Sequence, residues 1–385
     1  MSSSSQCSAV LPAELMMEIL SRVPVKDLMR FRCTSKWMNH LILDRALVKL
    51  HLQRCSKNTN ILLTIVDYEN NKTMYCAASC SLQSLPQNPS STIDYNCHRF
   101  NHDYIVVGVC NGLVCLQDSH RGVDYQELWV RFWNPSTRLM SEDSPRLRVP
   151  SNDNRYPYPF QFGFGYDDRS DTYQVVFLDN KSHKIEVSVH SLGDSCWRNI
   201  LSCDALVILS FSGAYVCGTI NWLAVPKSGS GYQGKNFINK LKIFSYDVKN
   251  EKCNYLSMPD VPCEGFPDAP VIAVFKGCLC LSYRQGTRFL VWTMREFGVA
   301  KSWTPLLNIN YKDLQIHVPY GMPIIPVVLC ISENDNVLLG SYGTAEFFLY
   351  NKKDNRIDRY ELFNDNMFCC FSYDCVQSLV LPYRN

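Results

Sequence analysis

The sequence predicts a multidomain chain of class α plus all-β: a small N-terminal helical unit followed by a propeller-like β domain of about six blades. Three observations predict it. The first fifty residues place apolar side chains at helical spacing. Beyond about residue 55 the pattern switches to short alternating runs broken by Asn, Asp, Gly and Pro, the mark of antiparallel strands. Within those runs one turn phrase recurs at blade-like intervals.

At 385 residues, with 46% hydrophobic and 19% charged residues, the chain can fill a sizeable core. Its 38 basic and 36 acidic residues leave a formal net charge of +2, which gives no electrostatic footprint for nucleic acid or an anionic membrane. The opening MSSSSQCSAV lacks the basic start and apolar core of a secretory signal, and no run approaches a membrane span of about 20 apolar residues. Nucleus or cytoplasm is therefore the expected location. There the 19 cysteines would be reduced, and most read as small buried hydrophobes, as in Cys278-Leu279-Cys280. No C-x-x-C pair suggests zinc.

Residues 1–8 are expected to be disordered, 9–50 helical, 51–60 a linker and 61–385 the β domain. Pro12 sits at the start of the first helix, where a missing N–H costs nothing, and Leu15 and Ile19 share a face of it. Pro24 opens a second helix carrying Leu28 and Phe31. Ser35 can cap a third, with Trp37 and Leu41 four apart, and Asp44 can start a fourth through Leu47 and Leu50. Such a unit holds more apolar surface than it can bury alone, so it needs a partner or a neighbouring domain.

The order Leu11-Pro12, Ile19-Leu20, Val23-Pro24-Val25, Leu28, Arg30-Phe31, Cys33 and Ser35-Lys36-Trp37 closely resembles the F-box motif. The resemblance implies a trihelical unit that packs on a Skp-type adaptor, and through it a cullin with RING and conjugating subunits. It implies that Leu11, Pro12, Ile19, Leu20, Pro24, Val25, Leu28, Phe31 and Trp37 form or support the adaptor-facing surface, with Leu28 and Trp37 the candidates for internal core.

In the β region, Val106–Cys110 and Leu113–Leu116 flank Asn111-Gly112, the dipeptide favoured where both turn residues take positive φ. Gly112-Leu113-Val114-Cys115-Leu116 is echoed at Gly277–Leu281 and more loosely at Gly218–Leu223. The turn phrase is an aromatic residue, a polar turn-former, and another polar residue three further on. It occurs at Trp133-Asn134, His190-Ser191, Tyr246-Asp247, Trp292-Thr293 and Tyr350-Asn351, with a weaker early copy at Tyr68-Glu69. Successive clear copies are 57, 56, 46 and 58 residues apart, as four-stranded blades require. The ring should fill the space between sheets, and the polar side chain should start the turn. Val376 to Leu381 is the run expected to close the ring.

Val109–Leu113, Trp133–Arg138, Phe162–Asp167 and Val291–Met294 with Ser302-Trp303 resemble, in order, the F-box-associated domain of plants, related to kelch propellers. The kelch Gly-Gly doublets are missing.

No chemistry of its own is expected from this chain. Gly229-Ser230-Gly231-Tyr232-Gln233-Gly234 fits G-x-G-x-x-G but is followed by a strand pattern instead of a helix, so it reads as a loop. His98 and His102 approach a strand pattern and read as surface loop, and Asp167–Asp171 lacks the glycine and closing glutamate of a calcium loop and reads as a hairpin turn. No G-x-S-x-G elbow occurs. Catalytic residues, metals and cofactors are expected to be none. The resemblance implies a non-catalytic receptor subunit of a ubiquitin ligase that holds an unknown protein target, with Ser151–Pro159 and Pro226–Lys235 as candidate recognition loops. A regulatory scaffold outside the ligase and a ligand-sensing propeller are the alternatives.

Overall fold

A computed structural model of the chain describes residues 11–54, 60–69, 72–81, 97–150, 162–181, 184–207, 212–226, 241–260, 268–310, 313, 326–332, 335–341, 346–361 and 367–383. Four helices come first: α1 (Ala13–Leu20), α2 (Val25–Phe31), α3 (Lys36–Ile42) and α4 (Arg45–Arg54). The two prolines stand at the N-caps of α1 and α2. Ser35 Oγ accepts from Met38 N at 3.1 Å, and Asp44 Oδ1 accepts from Ala46 N at 2.8 Å, so both predicted caps form. Helix α4 runs four residues past the expected end of the helical unit, and those residues matter below.

The rest is a ring of six antiparallel sheets. The first blade joins β1 (Asn60–Glu69), β2 (Lys72–Ser81) and β3 (Cys97–Arg99) to the last strand, β26 (Met367–Cys375). The second holds β4 (Ile105–Cys110), β5 (Leu113–Arg121) and β6 (Tyr125–Asn134), with β7 (Leu139–Met140) and β8 (Leu147–Pro150) sharing the outer position. The third is β9 (Phe162–Asp167), β10 (Thr172–Lys181), β11 (Lys184–Ser191) and β12 (Arg198–Cys203). The fourth holds β13 (Ala205–Val207) and β14 (Ala214–Val216) side by side along β15 (Thr219–Pro226), then β16 (Lys242–Asp247) and β17 (Lys252–Leu256). The fifth is β18 (Asp268–Phe275), β19 (Cys278–Gln285), β20 (Arg288–Met294) and β21 (Trp303–Asn310). The sixth is β22 (Pro326–Ile331), β23 (Val337–Ser341), β24 (Glu346–Asn351) and β25 (Arg356–Glu361).

Between every pair of neighbouring blades lies an apolar cluster, so the core is a ring of six seams. Trp133 fills the seam between blades one and two, Tyr246 that between three and four. Trp292 and Tyr350 pack at the next two seams. The recurring aromatic is thus the wedge between sheets.

In three of the copies the polar residue after it builds the turn. Asn134 Oδ1 accepts from Ser136 N at 2.8 Å, Asp247 Oδ1 from Lys249 N and Asn250 N at 2.9 Å each, and Asn351 Oδ1 from Lys353 N at 3.1 Å. Four residues after each turn-former the backbone turns left-handed, at Arg138 (φ 60°), Glu251 (53°) and Asn355 (49°), sending the next strand back. The Asn111-Gly112 hairpin has the predicted positive φ at both residues, 52° and 79°, and Cys217-Gly218 and Lys276-Gly277 repeat it in blades four and five. The early copy at Tyr68-Glu69 falls on the β1–β2 hairpin, whose tip lies outside the described residues.

Ring closure differs from expectation. The strand that pairs with β1 is β26, from Asn60↔Cys375 to Asp67↔Met367, not Val376–Leu381. At a bulge beside Thr64, its Oγ1 accepts from Phe371 N at 2.9 Å and donates to Phe371 O at 3.2 Å. The tail after Cys375 leaves the sheet because its backbone is claimed elsewhere. The fully buried Asn134 Nδ2 donates to Ser378 O at 3.0 Å and to Val380 O at 2.8 Å. Leu379 enters the helical core, while Val380 enters the seam between blades two and three. Gly112 makes room: a Cβ there would lie 2.5 Å from both Val376 O and Ser378 Oγ.

Replacing Asn134 with Ala should therefore strand two buried carbonyls and the donors of one turn. We expect a loss of roughly 2–4 kcal/mol in guanidinium unfolding. A change below about 0.5 kcal/mol, the size of an ordinary surface substitution, would show that the tail is not held in this way.

Candidate docking faces of the helical unit and the propeller

The helical unit divides the nine adaptor candidates into two groups. Leu20, Val25 and Leu28 are buried with Ile42, Leu47 and Leu379 in one small core. They support a surface without forming it. Leu11, Ile19, Phe31 and Trp37, with Leu15, stand 41–51% exposed, and Pro12 and Pro24 are exposed beside them. Trp37, a candidate for internal core from the sequence, points outward instead. Its neighbour on α3, Ile42, takes the inward position at 0% exposure. These exposed apolar residues lie outside a core that is already filled.

Ion pairs brace that unit. Glu18 on α1 meets Arg22 at 2.9 Å and Arg54 of α4 at 2.7 Å, and these hydrogen bonds hold its carboxyl below the usual range. The imidazole of His51 is buried with Nε2 3.0 Å from Val23 O, and burial pushes its pKa down.

Helix α4 also fixes the unit to the propeller. Its Val48 and Leu52 pack on the seam between blades two and three. One turn apart on the same helix, Arg45 and Lys49 both reach Asp171, Lys49 at 2.6 Å, and Arg45 also donates to Asp171 O at 2.9 Å. Tyr166 adds a hydroxyl donor to the same carboxylate. Burial alone would raise the Asp171 carboxyl, but these donors and charges outweigh it and hold it low. The Asp167–Asp171 segment is the predicted hairpin turn, and its contact with α4 was not foreseen. The helical spacing of Arg45 and Lys49 was the available signal for it.

Strand alternation then assigns the two faces of the ring. The first-to-second turns, among them Asn111-Gly112 and Asp168–Asp171, lie on the face that carries the helices and the C-terminal tail. Second-to-third turns and the connections between blades leave from the opposite face. Pro150 and Phe162 flank one candidate recognition loop, and both are paired at those far ends, opposite Tyr125 and Phe177. Pro226 of the other is paired with Ala205 in the same sense. The loop residues 151–159 and 227–235, and with them the G-x-G-x-x-G at Gly229–Gly234, lie outside the described residues.

His98 is on β3, stacked on Trp133 at 4.8 Å between ring centroids, while His102 is exposed in the bend that follows. Along the propeller axis runs a cavity of about 990 Å³. Gly108, Phe164, Ala214, Val274, Val328 and Tyr373 line it, and Val48 and Leu52 border it at the helical face. Among its lining carboxyls is the half-buried Asp374, which accepts from Lys276 N at 2.9 Å. Burial pushes that carboxyl up to about 6, and the Lys276 N–H and ammonium only partly offset it.

Comparison with known proteins matches both parts of the chain. Residues 10–50 match the F-box domain, and residues 61–375 the F-box associated β-propeller domain. An F-box/kelch-repeat protein of Arabidopsis thaliana is 33% identical over 315 residues, covering 78% of this chain and 79% of its own. The F-box protein CPR1 of the same plant is 26% identical, covering 82% of this chain and 77% of its own.

The Asp374 carboxyl makes stability pH-dependent with a definite sign. Its folded pKa lies above the unfolded value near 4, so its ionisation opposes folding above about pH 6, and the penalty fades as the pH falls towards 4. Asp374→Asn keeps an acceptor for Lys276 N–H without the charge. It should stabilise the protein at pH 8 by on the order of 2 kcal/mol, a gain that vanishes near pH 4 in parallel thermal melts. A gain of equal size at both pH values would contradict this assignment.

Proposed function

The chain belongs to the F-box proteins that carry an F-box-associated β-propeller, and from that membership we propose that it is the substrate-recognition subunit of a Skp–cullin–F-box ubiquitin ligase. The observation that carries this reading is the exposed apolar face of Leu11, Leu15, Ile19, Phe31 and Trp37 beside a core that is already closed. A Skp-type adaptor is the partner for that face, with Leu20, Val25 and Leu28 holding it in shape from within. Cullin and RING subunits follow through the adaptor.

The propeller then serves as the receptor for a protein target, on the face away from the helices. This division needs no catalytic group in the chain. The ligase works by raising the local concentration of the target near the charged conjugating enzyme, and a receptor supplies that by geometry. The interdomain contacts favour the reading: the Asp171 clasp and the buried tail give the two docking faces a fixed separation. The nucleus or cytoplasm, where such a ligase operates, is the location we assign.

Co-purification with Skp-type adaptors tests this. Wild-type protein should retain an adaptor, and Ile19→Asp with Trp37→Ala should reduce retention at least tenfold while the far-UV spectrum stays unchanged. Exposed positions are the right ones to alter, since a charge at buried Leu20 would confound docking with unfolding. Wild-type protein that binds no Skp-type adaptor would overturn the ligase reading. Undiminished binding by the folded double variant would move the docking surface elsewhere.

A further inference from the structure

We propose that Cys203 and Cys253 are a covalent modification site, closing a reversible disulfide that staples the third blade to the fourth. Cys203 ends β12 and Cys253 lies in β17, the outermost strands of two neighbouring blades. Their sulfurs are 3.0 Å apart, against about 2.05 Å in a disulfide, so roughly 1 Å of approach completes the bond. Both thiols are half-buried, at the margin of the same interblade seam, where a small reagent can reach them.

The two strands are already held together from other directions. Ile200 and Leu201 pack on the seam that contains Tyr246 and Val248, and Arg198 pairs with Glu251 at 3.0 Å. The ordering that a cross-link normally requires is therefore largely present in the reduced protein. Most other described cysteines are placed differently: Cys110, Cys115 and Cys330 are sealed in the core, while Cys33, Cys196 and Cys217 are exposed.

Burial and the neighbouring sulfur push the Cys203 thiol up to about 12, so that thiol stays protonated. The suitable oxidant is a low-molecular-weight disulfide. One cysteine, as thiolate, attacks a sulfur of that disulfide and expels one small thiolate, leaving a mixed disulfide. The second cysteine gives up its proton, attacks the protein-bound sulfur and expels the other small thiolate. Two protein thiols are oxidised, one small disulfide is reduced to two thiols, and the two protons end on those thiols. The new bond closes a span of 50 residues across two blades and restricts the unfolded chain accordingly.

The test uses the full chain, fully reduced and then incubated with oxidised glutathione, alkylated and mapped without reduction. The expected product joins the peptides of Cys203 and Cys253 with the loss of two hydrogens, and the melting temperature rises by several degrees until reductant is added. Cys203→Ser and Cys253→Ser, both close in size to the native residue, should each abolish the cross-link and the shift. Glutathione on both cysteines with no cross-link overturns the site. A cross-link that leaves the melting temperature unchanged overturns the staple.

Discussion

The pairing of β26 with β1 is the constraint on which the rest of the molecule depends. A blade built from both ends of the domain ties the ring of six sheets shut, and here the last strand completes the first blade. The entropic cost of bringing residues 60 and 375 together grows only slowly with the length between them. Against it stand a nine-residue strand and the two seams on either side of the first blade. Tyr373 shows how the closing strand serves the seam: its hydroxyl donates to Val106 O of the next blade at 3.1 Å.

Closure also determines where the helices sit. Because β26 ends on the face of the first-to-second turns, the six residues after it emerge beside Asn111-Gly112, and Gly112 lets them cross. They then divide between two cores, Leu379 in that of the helical unit and Val380 in the seam between blades two and three. The helical unit is thus completed by a residue more than three hundred positions away in the chain. Its exposed ion pairs contribute little individually, since water and salt screen them. The buried leucine and the buried Asn134 hydrogen bonds do more to fix its position.

Sequence reasoning reached the parts of this structure that are local. An Asx turn is written in three or four consecutive residues, so Asn134, Asp247 and Asn351 could be recognised from spacing alone, and with them the blade count. Caps at Ser35 and Asp44 are equally local. The closing strand was misplaced because Met367–Cys375 and Val376–Leu381 are both short and largely apolar, and nothing near them reveals that Asn134 claims the second. The split of the helical candidates was hidden for a related reason. Each helix carries apolar residues on more than one face, so periodicity cannot say that Ile42 turns inward and Trp37 outward. Ile42 packs in a core that also takes in Leu379, which arrives from the far end of the chain.

The separation of the two faces is what makes the arrangement usable. In the receptor role proposed above, a linker that let the helical unit swing would spread a held target over a large volume and dilute it at the reactive centre. Residues 45–54 prevent this by belonging to both parts at once: Leu47 faces the helical core, Val48 and Leu52 face the propeller, and Arg45 and Lys49 hold Asp171. A helix whose successive faces serve two cores cannot rotate without breaking one of them. The distance from the exposed Ile19–Trp37 surface to the opposite rim is then a property of the fold itself.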